Sequence, residues 1–176
     1  YSNTIRVTGG GMCLYTQSGM GQVVGNTLIG GSYGIVDSSG ALLVAYNVID
    51  SCGIGADVRS AARYLGNSIT NCAGDGLIVG YTGHAVDSNV ITDNGGAGIR
   101  AIDYHTDFGG GEHDGLGGNG IQGNLGWDLV NETGDTVWAR HNLWEHTDSL
   151  VIDGVDIYDD DDDGAVLDAG LQWRLA

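Results

Sequence analysis

The stretch Asn47-Val-Ile-Asp-Ser-Cys-Gly-Ile-Gly-Ala is followed after one interval by Asn67-Ser-Ile-Thr-Asn-Cys-Ala-Gly-Asp-Gly-Leu. In both, an asparagine precedes a large apolar residue by two positions, and a glycine-bearing turn follows. The same pattern begins at Asn3, Asn26, Asn47, Asn67, Asn89, Asn119 and Asn142, at intervals of 23, 21, 20, 22, 30 and 23 residues. A nearly fixed period of this length is typical of a protein built from stacked coils.

Each repeat has the same internal plan. A short strand follows the asparagine, and its period-two alternation points the plus-two residue, such as Ile49 or Ile69, into the core. A second strand begins at pairs such as Gly34-Ile and Gly55-Ala, and a third apolar stretch closes the repeat. Helical periodicity is not sustained anywhere. Three short strands per repeat predict a parallel β-helix.

This repeat resembles the right-handed parallel β-helix of the pectate-lyase-like superfamily, in particular its carbohydrate-binding and sugar-hydrolase type repeats, over residues 3–150. The segments Asp107-Phe-Gly-Gly-Gly and Asn142-Leu-Trp resemble the closing coils of secreted bacterial β-helix proteins. We therefore expect an all-β fold of about seven coils with a C-terminal capping segment. Residues 1–125 would form the coils, with a loop excursion at 101–118, and 126–176 the last coil and a cap with an acidic turn.

The repeated asparagines have a structural explanation. Stacked at strand spacing, their amides can bond to the asparagines of the coils above and below and to turn backbone. An unpaired amide in a dry core would cost about 1–3 kcal/mol. We expect a continuous asparagine ladder with a stabilising role.

The chain is strongly acidic, with 23 Asp and Glu residues against 6 Arg, no Lys and a net charge of -17. This charge disfavours nucleic acid and anionic membrane surfaces as partners, and no apolar run is long enough to span a membrane. The acidity fits a solvated surface of a secreted or cell-surface protein, adaptation to high salt, or calcium binding. No signal peptide precedes Tyr1, which suggests a mature or excised fragment.

Two of the three cysteines are expected to be neighbours. Cys52 and Cys72 each lie five residues after a repeat asparagine, so they should stack on adjacent coils. Strand spacing of about 4.8 Å allows a disulfide, and a pair of buried thiols is the alternative. Cys13 has a different phase and should stay free.

The longest interval, between Asn89 and Asn119, contains the candidate catalytic residues. Insertions in a solenoid emerge as loops, where binding and catalysis often occur. The carboxylates and histidines of this loop could supply the acid and base of glycoside hydrolysis, could bind a metal, or could simply be solvated. The candidates are Asp103, His105, Asp107, Glu112 and His113.

The acidic run near the C-terminus is a candidate calcium site. Asp159, Asp161 and Asp163 alternate and precede Gly164, as in the first half of a calcium-binding loop. The twelfth position is Gly170 and not a bidentate Glu, so the loop is incomplete. A solvated acidic turn is the alternative interpretation.

Two functions follow as expectations. Lyases of the similar superfamily use Lys or Arg as the base, and its hydrolases carry an Asn-Thr-Asp, Asp-Asp and Gly-His-Gly pattern. This chain has no Lys and only Gly83-His-Ala at the last of these. We therefore expect a structural or polysaccharide-binding β-helix module, joined to other copies or domains through its coil ends. The alternative is a polysaccharide hydrolase or epimerase using the loop residues.

Overall fold

The computed structural model describes most of the repeat region of the chain. The described residues are 2–17, 21–38, 42–80, 84–103, 106–111, 114–133, 136–147 and 152–158. No helix among them is long and apolar enough to cross a membrane.

Among the described residues, eighteen strands form three parallel sheets, and each complete coil contributes one strand to each sheet in turn. Sheet A contains six strands: β1 (Thr4–Val7), β4 (Thr27–Gly30), β7 (Val48–Asp50), β10 (Ser68–Thr70), β13 (Val90–Thr92) and β16 (Gly120–Gln122). Sheet B contains seven: β2 (Met12–Thr16), β5 (Tyr33–Asp37), β8 (Ile54–Val58), β11 (Leu77–Val79), β14 (Ile99–Ala101), β17 (Leu129–Asn131) and β18 (Ile157–Tyr158). Sheet C contains five: β3 (Gln22–Val24), β6 (Leu42–Ala45), β9 (Ala62–Leu65), β12 (His84–Asp87) and β15 (Thr106–Asp107).

The prediction of an all-β parallel β-helix is therefore confirmed. The number of complete coils is smaller than the predicted seven, because five coils contribute a strand to all three sheets among the described residues. In the next coil, an isolated bridge from Asp107 to Trp138 takes the place of the sheet C strand. A single turn of π-helix, Ile152–Asp156, precedes β18.

The core consists of columns of side chains that stack from coil to coil. The residue two positions after each ladder asparagine from Asn26 onwards is buried, and Leu28, Ile49, Ile69, Ile91 and Ile121 are 0% exposed. Their in-register pairing through sheet A places like above like. Period-two alternation within each strand produces this column, as the sequence predicted.

The asparagines form the expected ladder along the corner before sheet A. Each side-chain Nδ2 donates to the Oδ1 of the next asparagine at 2.9–3.2 Å, from Asn3 through to Asn142. The same Oδ1 also accepts the backbone N–H of the preceding ladder asparagine. Asn47, Asn67 and Asn89 are each 1% exposed, so their amides find partners within the protein.

The residue before most ladder asparagines has a left-handed backbone. Positive φ values of 56–72° occur at Gly25, Tyr46, Gly66, Ser88, Gly118 and His141. Since non-glycine residues rarely adopt this conformation, the closure of the coil, and not the local side chain, sets the turn here.

A second column lies five residues after each ladder asparagine, and it contains Cys52, Cys72, Asn94 and Asn124. The Nδ2 of Asn94 donates to Asn124 Oδ1 at 3.0 Å, and the N–H of Cys72 donates to Asn94 Oδ1 at 3.0 Å. Cys13, Cys52 and Cys72 are buried free thiols, so of the two alternatives the structure has the thiol form. Burial raises the pKa of the Cys13 thiol, and the hydrogen bond with the Cys72 thiol, together with burial, raises that of the Cys52 thiol.

Candidate functional site

One glycine recurs in sheet B and is replaced by aspartate in the last two strands. It precedes the inward apolar residue of each strand, and the register aligns the positions Gly34, Gly55, Gly76, Gly98, Asp128 and Asp156. A Cβ at Gly55 would lie too close to Ile69 Cγ2 and to the carbonyl oxygen of Gly76. A side chain at this position is therefore sterically excluded in the early coils, whereas the last two strands have room for aspartate.

Asp128 and Asp156 stack on adjacent coils, and each is 3% exposed. The Nδ2 of Asn124, the end of the second column, donates to Asp128 Oδ1 at 2.9 Å, and the N–H of Glu145 donates to Asp128 Oδ2 at 3.4 Å. Asp156 pairs with His146, whose Nδ1 lies 2.7 Å from Oδ1 and whose backbone N–H donates to Oδ2 at 3.1 Å. Two buried carboxyl groups are thus placed next to each other by the repeat.

The two aspartates line a cleft of about 430 Å³ at this corner of the coil. Trp127 and Leu125 supply apolar surface to it, and the Trp127 ring lies 5.4 Å from that of Tyr158. The full lining is Asn124, Leu125, Gly126, Trp127, Asp128, Glu145, His146, Val155 and Asp156. It combines three carboxyl groups with one imidazole and contains no arginine.

Burial is the main cause that raises the pKa of Asp128 to about 6; the hydrogen bonds from Asn124 and from the Glu145 backbone N–H lower this pKa, and the charges of Asp156 and Glu145 raise it. The ionised form is thus disfavoured in the folded protein. Because the folded pKa lies above the ordinary value of 3.8, Asp128 favours folding below that pH. This contribution is lost as the pH rises to about 6.

His146 becomes positively charged on protonation, whereas Asp128 becomes neutral, but protonation of either group favours the folded protein. Its hydrogen bond to Asp156 raises the pKa of the imidazole above its ordinary value. The imidazolium therefore contributes stability at low pH, and this contribution is lost as the pH rises through the folded pKa. As the pH rises, the cleft therefore gains negative charge on Asp128 at about pH 6 and loses positive charge on His146 once the pH passes the raised pKa of that imidazole.

Of the residues predicted from the long interval, the structure describes Asp103 and Asp107, and neither lines the cleft. Asp103 follows β14 and faces the charge of Arg59. His105, Glu112 and His113 lie outside the described residues, as do Asp159, Asp161 and Asp163 of the acidic run. The catalytic and calcium assignments of these residues stay predictions.

Asp107 has a clear set of backbone contacts. It is 0% exposed in β15, its Oδ1 accepts the N–H groups of Gly109 and Gly111 at 2.9 and 3.0 Å, and its Oδ2 accepts that of Gly115 at 2.9 Å. A Cβ at Gly115 would lie 2.5 Å from Asp107 Oδ1. The Asp107 side chain therefore fixes the backbone of Gly109, Gly111 and Gly115. Its closeness to Gly115 leaves no room for a side chain at that position.

Within the ranges described, no three His, Cys, Asp or Glu side chains are arranged to hold a metal ion. The carboxyl groups of the cleft are instead bonded to Asn124, to His146 and to backbone N–H groups.

The cleft was not predicted from the sequence, because the candidate residues were placed in the longest interval of the repeat. The available signal was a substitution within the repeat. Gly96-Ala-Gly98 in one coil corresponds to Gly126-Trp-Asp128 in the next, so a bulky aromatic and a carboxylate replace a small residue and an invariant glycine.

Comparison with known proteins identifies a family. A family model described as a protein of unknown function, DUF1565, matches residues 2–150, which is most of the chain. No curated protein and no solved structure matches the chain.

Proposed function

We propose that this chain, which belongs to the DUF1565 family of parallel β-helix proteins, binds polysaccharide through the cleft between Trp127 and the Asp128–Asp156 pair. The single observation that carries the proposal is an aromatic ring and several hydrogen-bonding groups lining one concave surface. Ligand pockets typically enclose about 300–1,000 Å³ and combine apolar walls with a few polar groups.

The lining suits a sugar ring. The C–H face of a pyranose packs against aromatic surface, while its hydroxyl groups need donors and acceptors at the edge. Trp127 offers the first, and Asp128, Glu145 and His146 offer the second. Asp128 accepts two hydrogen bonds, which leaves acceptor capacity for a hydroxyl.

The acidic, lysine-free composition supports a secreted or cell-surface location, where polysaccharide is encountered. The coil ends would join this module to further domains or copies, because β1, β2 and β3 are the terminal strands of their sheets and carry unpaired backbone groups. The predicted binding of calcium by Asp159, Asp161 and Asp163 is a separate proposal, outside the cleft.

A glycan array followed by calorimetry tests the proposal. Trp127→Ala should weaken binding of the selected oligosaccharide by about tenfold or more, equivalent to about 1.4 kcal/mol. Trp138→Ala is the matched control, since Trp138 is also half-buried but packs against Arg140 and Gly111 outside the cleft. Equal losses in the two variants, or no binding by the wild type, would refute the proposal.

Hydrolysis of the bound polysaccharide is a second candidate function. The observation in its favour is the buried carboxyl pair, in which Asp128 keeps its proton up to a pH of about 6. A carboxyl group that keeps its proton and lies beside a second carboxyl group can protonate a glycosidic oxygen. A reducing-sugar assay at pH 5 should show turnover that Asp128→Asn abolishes, and binding without turnover would leave a non-catalytic module.

A further inference from the structure

We infer that the cleft selects saccharides carrying a protonated amine, such as 2-amino-2-deoxyhexose units, over neutral or acidic ones. This inference rests on the proposed polysaccharide-binding function and adds the chemical class of the ligand. It follows from the charges and partners of the groups around the cleft.

The cleft carries more negative than positive charge. Asp128, Glu145 and Asp156 contribute three carboxyl groups, and among the described residues His146 is the one basic side chain of the lining. His146 is already bonded to Asp156, so its charge is matched within the protein. A uronate would add a further carboxylate to this surface at a Coulomb cost, whereas an ammonium group would be attracted.

Asp128 has the most to gain from a cation. Its carboxyl group is buried beside Asp156, which is why its ionised form is disfavoured. Neither of its hydrogen-bond donors, Asn124 Nδ2 and the Glu145 backbone N–H, carries a formal charge. An ammonium group bonded to Asp128 would form a charge-assisted hydrogen bond and compensate the desolvation of the carboxylate.

The aromatic surface acts in the same direction. Trp127 lies next to Asp128 in sequence, and both side chains line the cleft. A cation placed over an indole ring is attracted by the negative face of the ring. A sugar packed on Trp127 could therefore present an amine to the carboxylate and the ring together.

Binding should also release protons. An ammonium group that pairs with ionised Asp128 lowers the pKa of that carboxyl, so protein that was protonated must give up its proton. The titratable groups that face Asp128 are Asp156 on the neighbouring coil and Glu145 and His146 on the segment that covers it. Since His146 can also release a proton, the release due to Asp128 is the part that Asp128→Asn removes.

The test compares oligosaccharides of one backbone by calorimetry at pH 6 in buffers of different ionisation enthalpy. Glucosamine oligomers should bind at least about tenfold more tightly than their N-acetylated counterparts, and uronate oligomers should not bind. Asp128→Asn should weaken binding of the amine oligomer by about tenfold and reduce proton release. Glu145→Gln, on the cleft rim, should weaken it in the same direction and serves if Asp128→Asn fails to fold.

Asp93→Asn is the matched control, because Asp93 is an exposed aspartate outside the cleft lining. It should bind like the wild type. If amine and N-acetyl oligomers bind equally, or if the Asp128 and Glu145 variants bind the amine oligomer normally, the inference is wrong while polysaccharide binding stands. If no oligosaccharide of any class binds, the proposed function itself is wrong.

Discussion

Replacing a central ladder asparagine tests how the coils are held together. Asn67 is 1% exposed and takes part in four side-chain hydrogen bonds that Asn67→Ala removes. Its Nδ2 donates to Asn89 Oδ1 and to the Val44 carbonyl, both at 2.9 Å. Its Oδ1 accepts the backbone N–H and the Nδ2 of Asn47, both at 3.0 Å.

The magnitude follows from the groups left without these partners. Asn47 Nδ2 still donates to the Val23 carbonyl, and Asn89 Oδ1 still accepts the Asn67 N–H. The Asn47 N–H loses the bond to Asn67 Oδ1 and the Val44 carbonyl loses the bond from Asn67 Nδ2. At about 1–3 kcal/mol for each of these two buried groups, we expect a loss of about 2–6 kcal/mol.

Thermal and urea unfolding measure this loss. For a protein of this size, such a loss lowers the Tm by about 4–24 °C. The control is Asn3→Ala, which makes the same change at the exposed end of the same ladder and should cost about 1 kcal/mol or less, because water replaces the lost partners. A loss below about 1 kcal/mol for Asn67→Ala, or equal losses at both positions, would refute the account of the ladder.

The remaining predictions concern the glycine column, the cleft and the acidic run. Gly98→Ala places a Cβ 2.6 Å from Ile121 Cγ2 and should destabilise the fold by about 1–3 kcal/mol. Gly120→Ala is the control, because no atom lies within 4 Å of its Cβ, and it should be neutral or stabilising. Equal effects of the two variants in urea unfolding would contradict the packing argument. Between pH 4 and pH 7 the wild type should lose about 2 kcal/mol of stability as Asp128 ionises, after allowing for screening by cleft water. Asp128→Asn should not show this loss. Parallel curves of stability against pH for the two proteins would show that the Asp128 pKa is not raised. Millimolar calcium should raise the Tm by binding Asp159, Asp161 and Asp163, and magnesium serves as the control; an unchanged Tm would remove the calcium site.

The ladder and the inward column could be predicted from the sequence because they are set by side-chain type and spacing. Asn67 and Ile69 recur at a fixed offset, and parallel in-register pairing stacks whatever recurs. The left-handed turns could not be predicted in this way. Tyr46 and Ser88 occupy them although non-glycine residues rarely adopt this conformation, since the backbone there follows from closing the coil.

The residues of the cleft could not be predicted from the sequence for a different reason. Asp107 was predicted as a catalytic candidate because it is an acidic residue in a long loop, yet its oxygens accept three backbone N–H groups of that loop. The cleft arises where the repeat stays in register but Asp128 and Asp156 replace glycine. Their proximity comes from the stacking of coils across an irregular connection, and no fixed spacing in the sequence encodes it.

The most direct test of the proposed site is an NMR titration that follows the indole N–H signals of the tryptophans, assigned by single Trp→Phe variants. Trp127 lines the cleft, whereas Trp138 packs against Arg140 and Trp144 is buried in the core. On addition of glucosamine oligomers, the Trp127 signal should shift in a saturable way while those of Trp138 and Trp144 stay in place. Saturable binding that shifts Trp138 and leaves Trp127 unchanged would contradict the account.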